Sequence, residues 1–278
     1  MKEMKRSFIL MCVLLCAIMN ANAQLRKLRA DEIKFYNSLY PVLYSALPHE
    51  FRDWKVIGDG PDFDAIKYFC PDSEGPDCIG KCAVSVGVKD PYQLGYAMEY
   101  TMPGDQADGI KGGTAGGITD YNNAQQVAAA LKGAAKIRVQ VYITVNSYSP
   151  GSGVFTIVNC PKAPAQTLGV PVPTTLAIMG IRSPECPYMQ DGHVNLSPGG
   201  DGYYDNALVF MGKPVAFKQN QSYSDGYTHT SYGVGFDKTK IGTLIVQNIV
   251  ITFKGDAEDI KDVIKQIDWQ KLNALLAK

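Results

Sequence analysis

The stretch IRVQVYITV, residues 137–145, alternates without a break: Ile137, Val139, Val141, Ile143 and Val145 are apolar, and Arg138, Gln140, Tyr142 and Thr144 stand between them. Successive side chains of a strand point to opposite faces, so this pattern predicts a strand with one buried and one wet face. A wet face suits an antiparallel sheet better than a doubly wound parallel one, whose strands are covered on both sides. The turn SYSPGSG and the run VFTIV (154–158) predict that this strand opens an antiparallel hairpin. Just upstream, NNAQQVAAALKGA predicts a short Ala-rich helix, preceded by the glycine-dense loop DGIKGGTAGGITD (108–120).

Farther towards the N-terminus, DEIKFYNSLYPVLYSAL (31–47) carries Tyr36, Leu39, Tyr40, Leu43 and Leu47 at helical spacing, with Asp31 as the expected N-cap. Pro41 is expected to kink or interrupt this helix, and Pro48 to end it. Short strand candidates follow: WKVIG, AIKYF and AVSVGV. The loop CPDSEGPDCIGKC (70–82) between the last two reads as the tip of a hairpin whose strands end at Cys70 and resume at Cys82.

Towards the C-terminus, the proline-rich CPKAPAQTLGVPVP (160–173) is a candidate crossover or boundary between two subdomains. Beyond it TTLAIMGI, ALVF, VAF, TSYGVGF and TLIVQNIVITF predict further strands. The closing segment DAEDIKDVIKQI places Ile260, Val263, Ile264 and Ile267 in an i, i+3, i+4, i+7 stripe capped by Asp256. Asp268 is placed to cap a last turn bearing Trp269, Leu272, Leu275 and Leu276. The expected class is α+β: antiparallel sheet with helices packed on one or both faces.

Two local features bear a likeness to a known architecture. An early helix ends in Leu47-Pro48 with Trp54 shortly after, and a closing strand leads to a helix with Ile267-Asp268 before a Leu-rich end. In these the chain resembles extracytoplasmic α/β sandwich proteins of the PsbP-like type. The resemblance covers the two ends and implies an architecture, not an activity.

The first residues carry an address. A basic start (Lys2, Lys5, Arg6), an apolar run from Phe8 to Met19, and Ala21-Asn22-Ala23 before Gln24 form the pattern of a secretory signal with an A-x-A cleavage site. Residues 24–278 are then the exported α+β region, secreted or periplasmic. Loss of three basic and one acidic residue from the 27 of each in the whole chain leaves a net charge of −2. Such a balance offers no electrostatic reason to bind nucleic acid, and no later apolar run has the roughly 20 residues of a membrane span.

Five cysteines remain: Cys70, Cys78, Cys82, Cys160 and Cys186. They lack the two close pairs of a tetrahedral zinc site and contain no C-x-x-C, so an oxidising compartment favours disulfides. The preferred pairing is Cys70 with Cys82 and Cys160 with Cys186, leaving Cys78; Cys70 with Cys78 competes with it. Two acidic loops, with Asp59, Asp62 and Asp64 and with Asp191, Asp201 and Asp205, do not follow the spacing of a calcium loop and are ordinary turn chemistry. The glycine loop has Ile118 where a phosphate-binding loop needs lysine. No metal or cofactor is expected from these motifs.

There is no G-x-S-x-G and no H-E-x-x-H. His229 lies in QSYSDGYTHTSYG, where alternation puts Tyr227, His229 and Ser231 on one strand face and Tyr232 on the other unless a bulge intervenes. With sixteen tyrosines, many in loops with Gly, Ser and Asp, the chain reads as a non-enzymatic protein with a recognition surface for a protein, glycan or small molecule. The candidate binding residues are Tyr203, Tyr204, Tyr227, His229 and Tyr232. The competing expectation is an extracytoplasmic hydrolase using carboxylates among Asp201, Asp205 and Asp225.

Overall fold

The computed structural model describes residues 26–58, 68–69, 78–79, 94–104, 106, 123, 126, 136–147, 155–182, 189–190, 193–194, 204–214, 216–224, 226–235, 240 and 243–276. In chain order the elements are β1 (Arg26–Lys27), α1 (Ala30–Ala46), β2 (Lys55–Ile57), β3 (Tyr68–Phe69), β4 (Cys78–Ile79), β5 (Leu94–Thr101), β6 (Arg138–Val145), β7 (Phe155–Asn159), β8 (Gln166–Thr167) and β9 (Leu176–Gly180). They continue with β10 (Met189–Gln190), β11 (His193–Val194), β12 (Asp205–Gly212), β13 (Ala216–Ser224), β14 (Tyr227–Gly235), β15 (Asn248–Gly255), α2 (Ala257–Gln266) and α3 (Trp269–Leu275). The fold is α+β.

A seven-stranded antiparallel sheet in the order β2-β5-β6-β15-β12-β9-β8 forms the middle layer. Its inner face presents Tyr96, Met98, Val141, Ile143, Ile251, Phe253, Val209 and Met179 to the three helices, in one core with Tyr36, Leu39, Leu43, Ile260, Val263 and Leu272. A second sheet, β13-β14-β7, lies against the other face, where Phe155, Ile157 and Tyr232 pack on Leu208, Phe210 and Val250. β12 is therefore covered on both sides and reads as a continuous apolar run, Ala207–Met211, every residue of it buried. Nothing in that second core covers β6, so its alternation survives: Tyr142 on its outer face is 42% exposed.

β6 does not form the expected hairpin with β7. Both edges of β6 are taken, by β5 and β15, and β7 pairs with β14 in the smaller sheet. The chain leaves β6 through Asn146, whose φ of 54° turns it away. Its side chain is tied to the segment before β15: the Gln247 N–H donates to Oδ1 at 2.7 Å, and Nδ2 donates to the Ile245 carbonyl at 2.9 Å. Residues 160–173 lie inside this architecture, since β8 is an edge of the large sheet and strands from both sides of the segment share both sheets.

Two expectations about α1 are corrected. Its N-cap is Arg29, not Asp31; the Arg29 N–H donates to the buried Glu32 carboxylate at 2.8 Å, with Asp31 and Glu32 both in the first turn. Pro41 does not interrupt the helix, which runs through to Ala46. Pro41 and Asn37, the residue whose carbonyl it deprives of a donor, are both exposed, so the gap in the hydrogen-bond ladder falls on the solvent side while the opposite stripe stays packed. At the other end the caps stand as expected: Asp256 accepts from the Glu258 N–H and Asp268 from the Lys271 N–H, each at 3.1 Å.

Within the cysteine-rich stretch, Tyr68–Phe69 pairs in parallel with Cys78–Ile79 and antiparallel with β1. The proposed hairpin strand at 83–88, with Cys70, Cys82 and Cys186, lies outside the described residues, as do the glycine loop 108–120 and the acidic residues Asp59, Asp62, Asp64, Asp191 and Asp201. Cys160 is fully buried and disulfide-bonded.

Candidate binding site

The smaller sheet meets the larger one through β7. Asn206, on the outer face of β12, acts as a substitute strand neighbour: its Oδ1 accepts from the Val158 N–H at 3.0 Å and its Nδ2 donates to the Val158 carbonyl at 2.7 Å. Gly180, at the end of β9, permits the same approach. A Cβ there would lie 2.8 Å from the Ile157 Cγ2 and overlap the Val158 carbonyl.

This junction leaves a cavity of about 340 Å³. β7 contributes Thr156 and Val158, its side opposite to the packed Phe155 and Ile157. The large sheet contributes Asn206, Leu208, Thr252 and Lys254, and Arg182 and Tyr204, which lie outside the strands, complete the lining. Each of these two takes part in an arginine–tyrosine contact. The Arg182 guanidinium lies 5.3 Å from the centre of the Tyr227 ring, and Arg138 lies 5.2 Å from that of Tyr204 while donating to its hydroxyl at 2.9 Å. Such contacts hold both partners in place by roughly 0.5 to 2 kcal/mol each.

The wall continues beyond the cavity onto β14. His229 stands opposite Val158 and Ser231 opposite Thr156, whose hydroxyls meet at 3.2 Å. Nε2 of His229 is buried and makes no hydrogen bond among the described residues. Of the candidate residues Tyr204 lines the cavity, whereas Tyr227, which is buried, and His229 do not: they neighbour its lining, Tyr227 through Arg182 and His229 through Val158. Tyr232 does not join them: the register of β14 runs unbroken from Tyr227 to Gly235, so it faces the core, stacked on Phe217 at 5.6 Å. Burial raises the pKa of its phenol accordingly. Tyr203 lies outside the described residues.

The described lining holds two cations, Arg182 and Lys254, with hydroxyl and amide groups and no carboxylate. On the same sheet face Glu99 sits two strands from Lys254, held by Gln140 at 2.8 Å and Thr101 at 3.1 Å. Asp205 is fully buried and bound to the backbone instead, accepting from the N–H groups of Arg182 at 2.6 Å and Ala257 at 2.9 Å. Asp225, like Asp201, is outside the described residues. Among the described residues no three His, Cys, Asp or Glu side chains cluster as a metal site, and no helix is long and apolar enough to cross a membrane.

Arg182, Asn206, Thr252 and Lys254 were not legible as site residues. Lys254 is one polar position in an alternating strand and Arg182 one charge after another strand, both ordinary in a sheet. Only Asn206, a polar residue at the head of an apolar run, departs from pattern. Compared with family models, curated proteins and solved structures, the chain matches none.

Proposed function

We propose that this is an exported, non-enzymatic binding protein whose ligand is small and acidic, held in the cavity between the two sheets. One observation carries the reading: a concavity of about 340 Å³ whose lining includes the side chains of Arg182 and Lys254. The volume lies at the lower end of small-molecule sites, roughly 300 to 1,000 Å³. A cationic, partly apolar pocket favours a carboxylate or other oxyanion carried on a compact body such as a sugar ring. Thr156, Thr252, Asn206 and Tyr204 supply polar contacts for hydroxyls. Tyr227 and His229 form the adjoining wall. The N-terminal signal pattern supports export, and the disulfide-bonded Cys160 is in keeping with an oxidising compartment.

Titration calorimetry with glucuronate tests it. Lys254→Met, which keeps the side-chain bulk and removes the charge, should weaken glucuronate binding about tenfold or more, because a hydrogen bond to a charged group contributes roughly 1.5 to 3 kcal/mol. Equal affinity in the wild-type protein and the variant would remove Lys254, and with it the acidic-ligand reading.

A further inference from the structure

Among the described residues β13 has a strand on one side only, β14. It is exposed along its whole length from Phe217 to Ser224. The large sheet ends differently, on β2 and β8, which span three and two residues. Sheet edges are commonly blunted by short strands, prolines, bulges or charge, because a regular edge invites another strand. β13 has none of the first three: it runs nine residues, without proline, in unbroken register with β14, and carries a single charge, Lys218.

Its sequence, AFKQNQSYS, is close to symmetric about Asn220. An antiparallel copy centred there sets Phe217 against Tyr223, Gln219 against Gln221 and Lys218 against Ser222. Aromatic pairs then close both ends, amides face amides in the middle, and no like charges are opposed. Phe217 and Tyr223 share one strand face and are 36% and 69% exposed in the single chain.

We propose that β13 pairs with β13 of a second copy of this chain across a two-fold axis at Asn220, joining two three-stranded sheets into one of six. The contact is isologous, each strand offering the same surface it receives. One strand pair covers less than the ~1,600 Å² of a standard interface, so the association should depend on concentration.

Sedimentation equilibrium of the purified protein at tens of micromolar should give twice the chain mass. Asn220→Lys and Asn220→Asp each place like charges face to face at the axis and should sediment as monomers with unchanged thermal midpoints. An equimolar mixture of the two should recover the dimer. Tyr223→Ala, a second exposed change, should weaken it. A wild-type protein that stays monomeric, a dimer that survives Asn220→Lys, or a mixture that stays monomeric would each overturn the proposal.

Discussion

Asn206 does at one position what a neighbouring strand does along its length, satisfying both backbone groups of Val158. Asn206→Ala should therefore cost about 1 to 3 kcal/mol in urea unfolding, the range for stranding partly buried polar groups. Asn206→Asp keeps the acceptor, loses the donor and adds a negative charge to the cavity, so it should lose both stability and acidic ligand. Gly180→Ala crowds Ile157 and Val158 and should cost about 1 to 3 kcal/mol by overpacking. At this scale the sequence was partly legible: alternation placed Tyr227 and His229 on one face and Tyr232 on the other. The role of Asn206 was not, because it depends on a strand 48 residues away. Asp205, read with an acidic, glycine-rich turn, instead opens β12, and its oxygens accept from two backbone N–H groups.

Elements were read well where the signal was local. The stripe of α2 and its cap at Asp256 follow from period and residue type, and Asp256→Ala should cost about 0.5 to 2 kcal/mol in thermal or urea melts. The two closing helices set an acid limit. Hydrogen bonds from Lys265 and Arg52 hold the Asp262 carboxyl below its ordinary 3.8, and the Lys271 backbone N–H does the same for Asp268. Carboxylates with depressed pKa values contribute stability that is complete above the unfolded value and is lost as pH falls through the folded one. Asp259 works in reverse: burial raises its pKa, outweighing Arg52, so its cost at neutral pH is relieved on acidification. Stability should hold down to about pH 4 and fall below it, and Asp262→Asn should flatten that fall in a pH series of urea midpoints. Pairing between elements was the weak point. A short turn after β6 suggested a hairpin, but β5 and β15 compete for the same two edges and win them with eight and six paired residues.

The molecule as a whole is three layers: helices, a large antiparallel sheet, and a small sheet standing on it through β7. Its class was legible from β6 and the closing helix, because one-sided burial leaves its mark in each element's own period. The layering was legible only in hindsight, in the unbroken apolar run of β12. The site was least legible, since it exists only where the two sheets meet and draws on β7, β12 and β15 and on residues between strands. The account stands on that junction binding a small acid. A heteronuclear NMR titration with glucuronate, set beside one with neutral glucose, tests it most directly. The account predicts saturable shifts at Thr156, Arg182, Asn206 and Lys254 with glucuronate and none with glucose; no shifts at these residues, or equal shifts with both sugars, would contradict it.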